Sequence, residues 1–415
     1  MKNNSLIKDV ELFLDDKPSV YALRSKARLV VEKVFFSKKD EAWKYTDVRE
    51  IINKDFEIVA DNDGCKNSCA CGNECNECDD VFIKIKFCNG RIHIEDYNLP
   101  KGIKVVVLPE VLYEGEYKKY LYGTFNIEEH PFAALNGVYL EQGVVIEVEK
   151  GVKNLKPLVI CYNSDDSENR MFNIHNMIIL GKGSELEIVE DYKNSSESCY
   201  LMNVVNEFFL DNDSVCRHYK VQKESFNAYH TVLNGVKVYE NANYKQFYLA
   251  KGSKLSRNET LINLEKVKAN AEVYSMYIGK SGCLTDITTN INHKVKNTSS
   301  TQYAKAVLEE NSKACFQGKV RIEKDAIRSV GNQLHKALYL GDGAELNCKP
   351  ELEIYADDVK CSHGASSGEI DGEQLFYLTS RGIGIDDAKK MLIDAHLEEI
   401  LQFIENEQIK ERFFL

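Results

Sequence analysis

The sequence is poor in proline, with six among 415 residues, has a single tryptophan, and has no apolar run near the roughly 20 residues that span a bilayer. It lacks any excess of basic charge. The formal net charge is −12, which excludes the clustered positive footprint of a nucleic-acid binder and disfavours an anionic membrane surface as partner. The first residues run straight into Lys8-Asp9 and Asp15-Asp16-Lys17 with no apolar core of a secretory leader, so a cytosolic location is expected. Several catalytic patterns are also missing. There is no Gly-x-x-x-x-Gly-Lys-Ser/Thr phosphate loop, no Gly-x-Gly-x-x-Gly after a strand, no Gly-x-Ser-x-Gly elbow and no His-Glu-x-x-His pair. Any nucleotide hydrolysis linked to this chain would have to come from a partner, and nothing in the sequence assigns a flavin or other electron donor.

What is present divides by texture. From Ser5 to about Phe36 the apolar residues follow a helical period, broken at Pro18, which predicts two helices. From about Val81 to Val359, short β-branched and aromatic runs such as Val144-Val-Ile-Glu-Val148 and Leu186-Glu-Ile-Val189 alternate with turns built on Gly, Asn, Asp and Ser. Helical patterns are nearly absent there. A small residue recurs at the turns: Ser184, Ser214, Ala242 and Ala269 are 30, 28 and 27 positions apart, and Ser312 and Ala344 are 32 apart. A stacked solenoid needs such corners, because the chain turns sharply at each rung and buries its apolar face on its neighbours. An antiparallel sandwich is the competing reading of the same strands. From Asp371 onward the pattern is helical again, with Gly382 suited to a helix C-terminus and Asp386 to an N-cap. Such terminal helices could cover the unpaired edges at a solenoid end. The expected organisation is a helical region at 1–60, a Cys-rich insertion at 61–80, a β-helix core at 81–360 and a helical region at 361–415.

Two constellations carry metal chemistry. Cys361 and His363 stand two apart, so on a strand they share one face and could both reach one soft or borderline ion. A thiolate and an imidazole make only half a site, which a partner or further residues must complete; a buried cysteine beside a structural histidine is the alternative. Cys65, Cys69, Cys71, Cys75 and Cys78 fall within 14 residues of a Gly/Asn/Glu-rich stretch. They could hold zinc or an iron–sulfur cluster, form a reduced insertion with no site, or serve a redox role. The other eight of the 13 cysteines are scattered and read as small buried hydrophobes in a reducing compartment. His175, His218, His230 and His335 lie in strand patterns and read as satisfied packing residues.

One stretch is recognisable as a whole. Lys349-Pro-Glu-Leu-Glu-Ile-Tyr-Ala-Asp-Asp-Val-Lys-Cys-Ser-His-Gly-Ala365, continuing to Leu375-Phe-Tyr-Leu-Thr-Ser-Arg-Gly-Ile383, resembles the C-terminal signature of the SufB/SufD family, in its SufD form. Glu41-Ala-Trp-Lys-Tyr-Thr-Asp47, Phe132-Ala-Ala-Leu-Asn136, Ser253-Lys-Leu-Ser-Arg-Asn258 and Phe316-Gln-Gly-Lys-Val320 resemble further family segments in the same order. The resemblance implies a mainly β fold, a right-handed parallel β-helix flanked by helical ends. It implies a non-catalytic scaffold for iron–sulfur cluster assembly that pairs with a SufB-like subunit and docks a SufC-like ABC ATPase, fed with sulfur by a cysteine desulfurase system. His363, with Cys361 beside it, would then bind iron or a nascent cluster at the SufB interface. Leu375, Phe376, Tyr377, Arg381 and Gly382 would lie in the ATPase-docking region. The segment Asp325–Gln333 departs from the family by lacking its Ala-Gln-Lys-Thr run, and the Cys65–Cys78 cluster is outside the family pattern. A homodimer working with the ATPase alone, or a cytosolic solenoid enzyme, are the other readings. The enzyme reading lacks both an export signal and a six-residue period.

Overall fold

The computed structural model describes residues 6–7, 18–33, 41–58, 82–93, 99–108, 115–140, 142–153, 155–165, 167–194 and 196–414. The five cysteines from Cys65 to Cys78, and the first of the two expected N-terminal helices, lie outside the described residues.

Strand runs between Arg170 and Glu369 wind into a parallel β-solenoid of about seven turns, each giving one strand to each of two sheets. The sandwich reading is thereby excluded. The first sheet contains Arg170–Leu180, Leu201–Leu210, Tyr229–Val238, Leu255–Leu264, Leu284–His293, Lys313–Ile322 and Glu345–Ile354. The second contains Glu185–Lys193, Val215–Lys223, Asn243–Ala250, Asn270–Gly279, Ser299–Leu308, Val330–Tyr339 and Lys360–Glu369. Register does not slip: Val215, Asn243, Asn270, Ser299, Val330 and Lys360 stand one above another. At the start of the stack the sheets end in the antiparallel strands Ile103–Val107 and Arg91–His93.

The corners explain the composition. Gly183, Asp213, Asn241, Lys268, Asn297, Arg328 and Asp358 each take a left-handed backbone, with φ between 53° and 68°. Gly, Asn and Asp tolerate that region best, which is why they supply most of these turns in place of proline. The next residue is small and points inward: Ser184, Ser214, Ala242 and Ala269 are all buried. The Ser184 and Ser214 hydroxyls donate to the carbonyls of Gly181 and Asp211, at 2.7 and 2.6 Å, closing each corner. Inside the stack, Asn176 donates to Asn206 and Asn206 to Asn234, both at 2.9 Å, so a ladder of amides links successive rungs.

The two ends of the chain dress opposite outer faces. Helix Pro131–Tyr139, every residue of it buried, lies on the first sheet, and helix Pro18–Lys33 packs over it. This helix sits inside the region where the sequence shows almost no helical pattern. Its composition is apolar all round, so it lacks the amphipathic stripe that marks a helix at a surface. Asn136 donates to the carbonyls of Ile174 and Asn203 at 2.9 and 3.1 Å, anchoring it. Gly235 lets the preceding turn settle on the same sheet: a Cβ there would fall 2.0 Å from Thr124 Oγ1. Gly235→Ala is therefore expected to cost about 1–3 kcal/mol, read as a lower denaturant midpoint. A midpoint equal to wild type would mean that the turn moves aside freely.

Helices Ile385–Leu401 and Glu407–Lys410 lie along the outer face of the second sheet, where Leu397, Ile400, Leu401, Ile409 and Phe413 join its buried apolar cluster. Tyr219, Phe247 and Tyr274 stack ring on ring at 5.2 and 4.9 Å, and Phe403 adds to the column at 4.8 Å. These helices therefore pack on a sheet face and do not cover the solenoid end, as was expected from sequence. The outward aromatic column gives them more apolar area than an edge offers. Two boundaries also differ. The strand carrying Cys361 and His363 runs to Glu369, so the terminal helices begin at Gly372 and not at 361. The long helix starts at Ile385 with Gly384 as N-cap, so Asp386 lies in the first turn, where its carboxylate still faces the positive helix end.

Candidate cluster-ligand site at the open end of the solenoid

The seventh turn ends both sheets. Glu345–Ile354 and Lys360–Glu369 are each paired along one edge only. Cys361, His363 and Ala365 register with Gly331, Gln333 and His335, which are buried, so all three stand on the side that faces the solenoid interior. One rung earlier they would be core. At the last rung His363 is exposed and Cys361 is half-buried. Cys361 packs with Leu352 and Val359 against Val320 and Ile322, and its Sγ lies 3.6 Å from where a Cβ on Gly331 would fall. Burial pushes its thiol up, partly offset by a backbone hydrogen bond from Gly331, so the lone chain holds it as a thiol. Ser362, pointing the other way, donates to Asn332 at 2.8 Å.

Beneath His363 lies a column of amides. Gln333 sits under it and Gln302 under Gln333. The side-chain oxygens of both are buried without a hydrogen-bond partner among the described residues. Acceptors left open below an exposed imidazole suit a site completed from outside. Among the described residues no three or more His, Cys, Asp or Glu side chains gather as a metal site. Cys361 and His363 thus gain no third donor of those types from this chain's described residues.

The expected docking residues lie elsewhere. Helix Gly372–Ser380 buries none of its side chains; Phe376 is 73% and Tyr377 58% exposed. Arg381 lies over the Tyr377 ring at 5.2 Å, Leu375 is half-buried, and Gly382 takes φ +89° to end the helix.

Sequence reasoning missed two buried charge clusters. The first is inside the stack. His218 bridges Glu190 and Tyr244 at 2.7 and 2.8 Å, and Lys220 contacts His230 at 2.9 Å and Asn258 at 3.0 Å. His230 in turn meets Glu224 at 2.6 Å. Burial would raise Glu190, but His218 and Lys220 outweigh it and hold its carboxyl at about 2. Burial lowers Lys220 to about 8 against the pull of Glu190 and Glu224. The second cluster fixes the N-terminal segment to the first sheet. Buried Arg257 pairs with Asp286, donates to the Ala42 carbonyl at 3.0 Å and lies over the Trp43 ring at 4.1 Å, while Thr46 also bonds Asp286. The only available signals were Lys and Glu at inward positions of otherwise apolar alternation, and two separate motifs whose contact the sequence does not reveal.

A parallel solenoid with helices from both ends of the described chain packed on its faces, and a thiol–imidazole pair on its open last rung, defines a β-solenoid protein. The comparisons agree. Residues 162–396 match the model of the SUF system FeS cluster assembly SufBD core domain, and residues 8–160 match the SufBD protein N-terminal region. The chain belongs to the SufBD family of iron–sulfur cluster assembly proteins. It is 25% identical over 387 residues to the iron–sulfur cluster assembly protein SufD of Escherichia coli, covering 91% of this chain and 87% of that one. It is 27% identical over 406 residues to the chloroplastic protein ABCI7 of Arabidopsis thaliana, covering 94% and 83%. The SufBD family protein slr0076 of Synechocystis is 26% identical over 381 residues, covering 88% and 83%. Among the described residues no helix is long and apolar enough to cross a membrane.

Proposed function

We propose that this chain is the SufD-like scaffold of a cytosolic assembly complex, non-catalytic by itself, which pairs through its open last rung with a SufB-like subunit. The observation that carries this reading is His363. It sits on the interior side of the stack, exposed, on a strand with an unpaired edge. A partner that continues the sheets by strand addition would close over it and bring donors of its own. Iron or the nascent cluster is the cargo held there, with the His363 imidazole as a ligand and the Cys361 thiol losing its proton on coordination. The exposed aromatic pair Phe376 and Tyr377 would dock a SufC-like ATPase, whose hydrolysis moves the assembly. Sulfur would arrive from a cysteine desulfurase system. The Cys65–Cys78 stretch would hold an additional zinc or iron.

The test is recovery of tagged protein from its native cell, wild type against His363→Ala, with iron and acid-labile sulfide assayed on each. Wild type should bring down both partners. His363→Ala should keep them and lose most of the iron and sulfide, at least tenfold. Recovery of wild type alone, or as a homodimer with the ATPase, would sink the SufB pairing. Full cluster content in His363→Ala would sink the ligand role.

A further inference from the structure

A second site lies on the opposite sheet from His363. Between the turn Gly123–His130 and the outer face of the first sheet is a cleft of about 440 Å³. Its floor is built from matching outward positions on successive rungs. Lys237, Asn263, Asn292 and Arg321 form one column, and Leu261, Asn290 and Lys319 form the next. Lys294 stands two residues beyond Asn292, just past the end of the same strand at His293. Neighbouring strands are about 4.8 Å apart and alternate residues of a strand about 6.6 Å, so Lys294, Lys319 and Arg321 surround Asn290 and Asn292 at one-ligand range.

The lining itself carries more cations than carboxylates, although Glu351 and Glu353 continue its two columns on the next rung. Lys237, Lys294, Lys319 and Arg321 line it against one carboxylate, Glu129, which accepts from Asn126 at 2.9 Å. Lys294 does pair with Glu265 at 2.7 Å, and Lys319 and Arg321 pair with Glu351, Glu353 and Glu323, but those glutamates stand outside the lining. Lys237 is half-buried and makes no ion pair or side-chain hydrogen bond among the described residues. Asn290 likewise leaves its amide uncommitted. The other two amides are held in place: Asn292 donates to Asn263 and Asn263 to the Thr124 carbonyl, both at 3.2 Å. The floor therefore combines two fixed amides, the open amide of Asn290, the unpaired Lys237 and three cations shared with glutamates at its edge, a donor set that suits a multiply charged oxyanion. Its volume falls in the range of small-molecule sites and exceeds what a lone oxyanion fills.

We infer that this cleft binds a phosphorylated small molecule, its phosphoryl oxygens over Asn290 and Asn292 between Lys294, Lys319 and Arg321, and its remainder extending toward Lys237 and the Gly123–His130 turn. Lys319 and Arg321 each contact two glutamates and Lys294 one, so the ligand must compete with these carboxylates, which a dianionic phosphoryl group does better than a single carboxylate. The site is independent of the cluster role at the last rung.

Calorimetric titration of the full chain with pyrophosphate, AMP and citrate at matched ionic strength tests this. Pyrophosphate and AMP should bind saturably. Lys294→Gln and Arg321→Gln should each weaken both about tenfold, Lys237→Gln should weaken AMP more than pyrophosphate, and the exposed corner variant Lys182→Gln should leave both unchanged. Lys237→Gln removes no ion pair, so its folded state matches wild type even if the Arg321 variant unfolds. The inference is overturned if neither phosphate probe saturates, if Lys237→Gln and Lys294→Gln bind like wild type, or if citrate binds as tightly as pyrophosphate.

Discussion

Replacing Arg257 by alanine is expected to lower stability by about 3–5 kcal/mol, the cost of stranding a buried carboxylate without its cation. Asp286 is fully buried and would keep only the hydroxyls of Thr46 and Thr288. The loss reaches further, because the same guanidinium holds the Ala42 carbonyl and the face of Trp43, whose ring packs on Phe132 at 5.7 Å. The segment around Glu41–Asp47 should therefore detach, and trypsin should cut at Lys44 in the variant at a rate far above wild type. Lysine at 257 should rescue little, since it cannot reach the carboxylate, the carbonyl and the ring with one planar group. A midpoint within 1 kcal/mol of wild type, with Lys44 still protected, would show that the segment is held by apolar packing alone.

Acid should unfold this protein early. Burial lowers His293, His335 and His396 to about 4, and lowers His230 as well with help from Lys220. Their folded values lie below the unfolded value near 6.5, so in that window the unfolded chain takes up protons that the folded chain refuses. Stability then falls as pH falls from about 6.5 to about 4, with a slope near 1.4 kcal/mol per pH unit for each histidine. His130 acts in a different window: burial lowers it, but Glu259 raises it more, so its contribution is complete below about 6.5 and is lost only as pH rises above that value. Below pH 4.5 the loss continues through Glu190 and Glu259, both held at about 2 against the cost of burial by their histidine and cationic partners. Lys220 acts at the alkaline side, where stability rises between about pH 8 and its unfolded value near 10.4. Denaturant midpoints measured across pH 7 to 4 check this. His335→Gln should flatten the slope by about one proton, and a stability independent of pH from 6.5 to 5 would refute the assignment.

The solenoid was legible because its corners are local. A left-handed residue followed by a buried small one needs only two positions, and Asp213-Ser214 or Asn241-Ala242 announce it wherever they occur. Cys361 and His363 were legible as a pair for the same reason, since two residues on one strand share a face. Where they stand in the stack was not. That depends on which rung is last, and the strand's end at Glu369 is set by pairing with Val330–Tyr339 and not by any local break. Glu41–Asp47 and Ser253–Asn258 were visible as separate motifs, while the contact of Thr46 and Ala42 with the Arg257–Asp286 pair spans more than 200 residues. Helix Pro131–Tyr139 escaped because full burial erases the amphipathic period by which helices are found. Nothing local to Lys220 or Glu190 marks them as partners, and only the closed cross-section of the solenoid places them together.

Burial changes along the stack in one direction. Every residue of Leu201–Leu210 is buried, whereas Glu345–Ile354 and Lys360–Glu369 contain none that is fully so. In a one-dimensional array each rung leans only on its neighbours, so opening starts where a neighbour is missing and amide exchange should quicken rung by rung toward the last turn. The imidazole of His363 thus rides on the part of the molecule that opens and recloses most often. Any chain that continues the sheets supplies the missing neighbour, and its affinity and the order of that turn become one thermodynamically linked quantity. Exchange protection spreading inward from Lys360–Glu369 on complex formation would be the signature of that linkage.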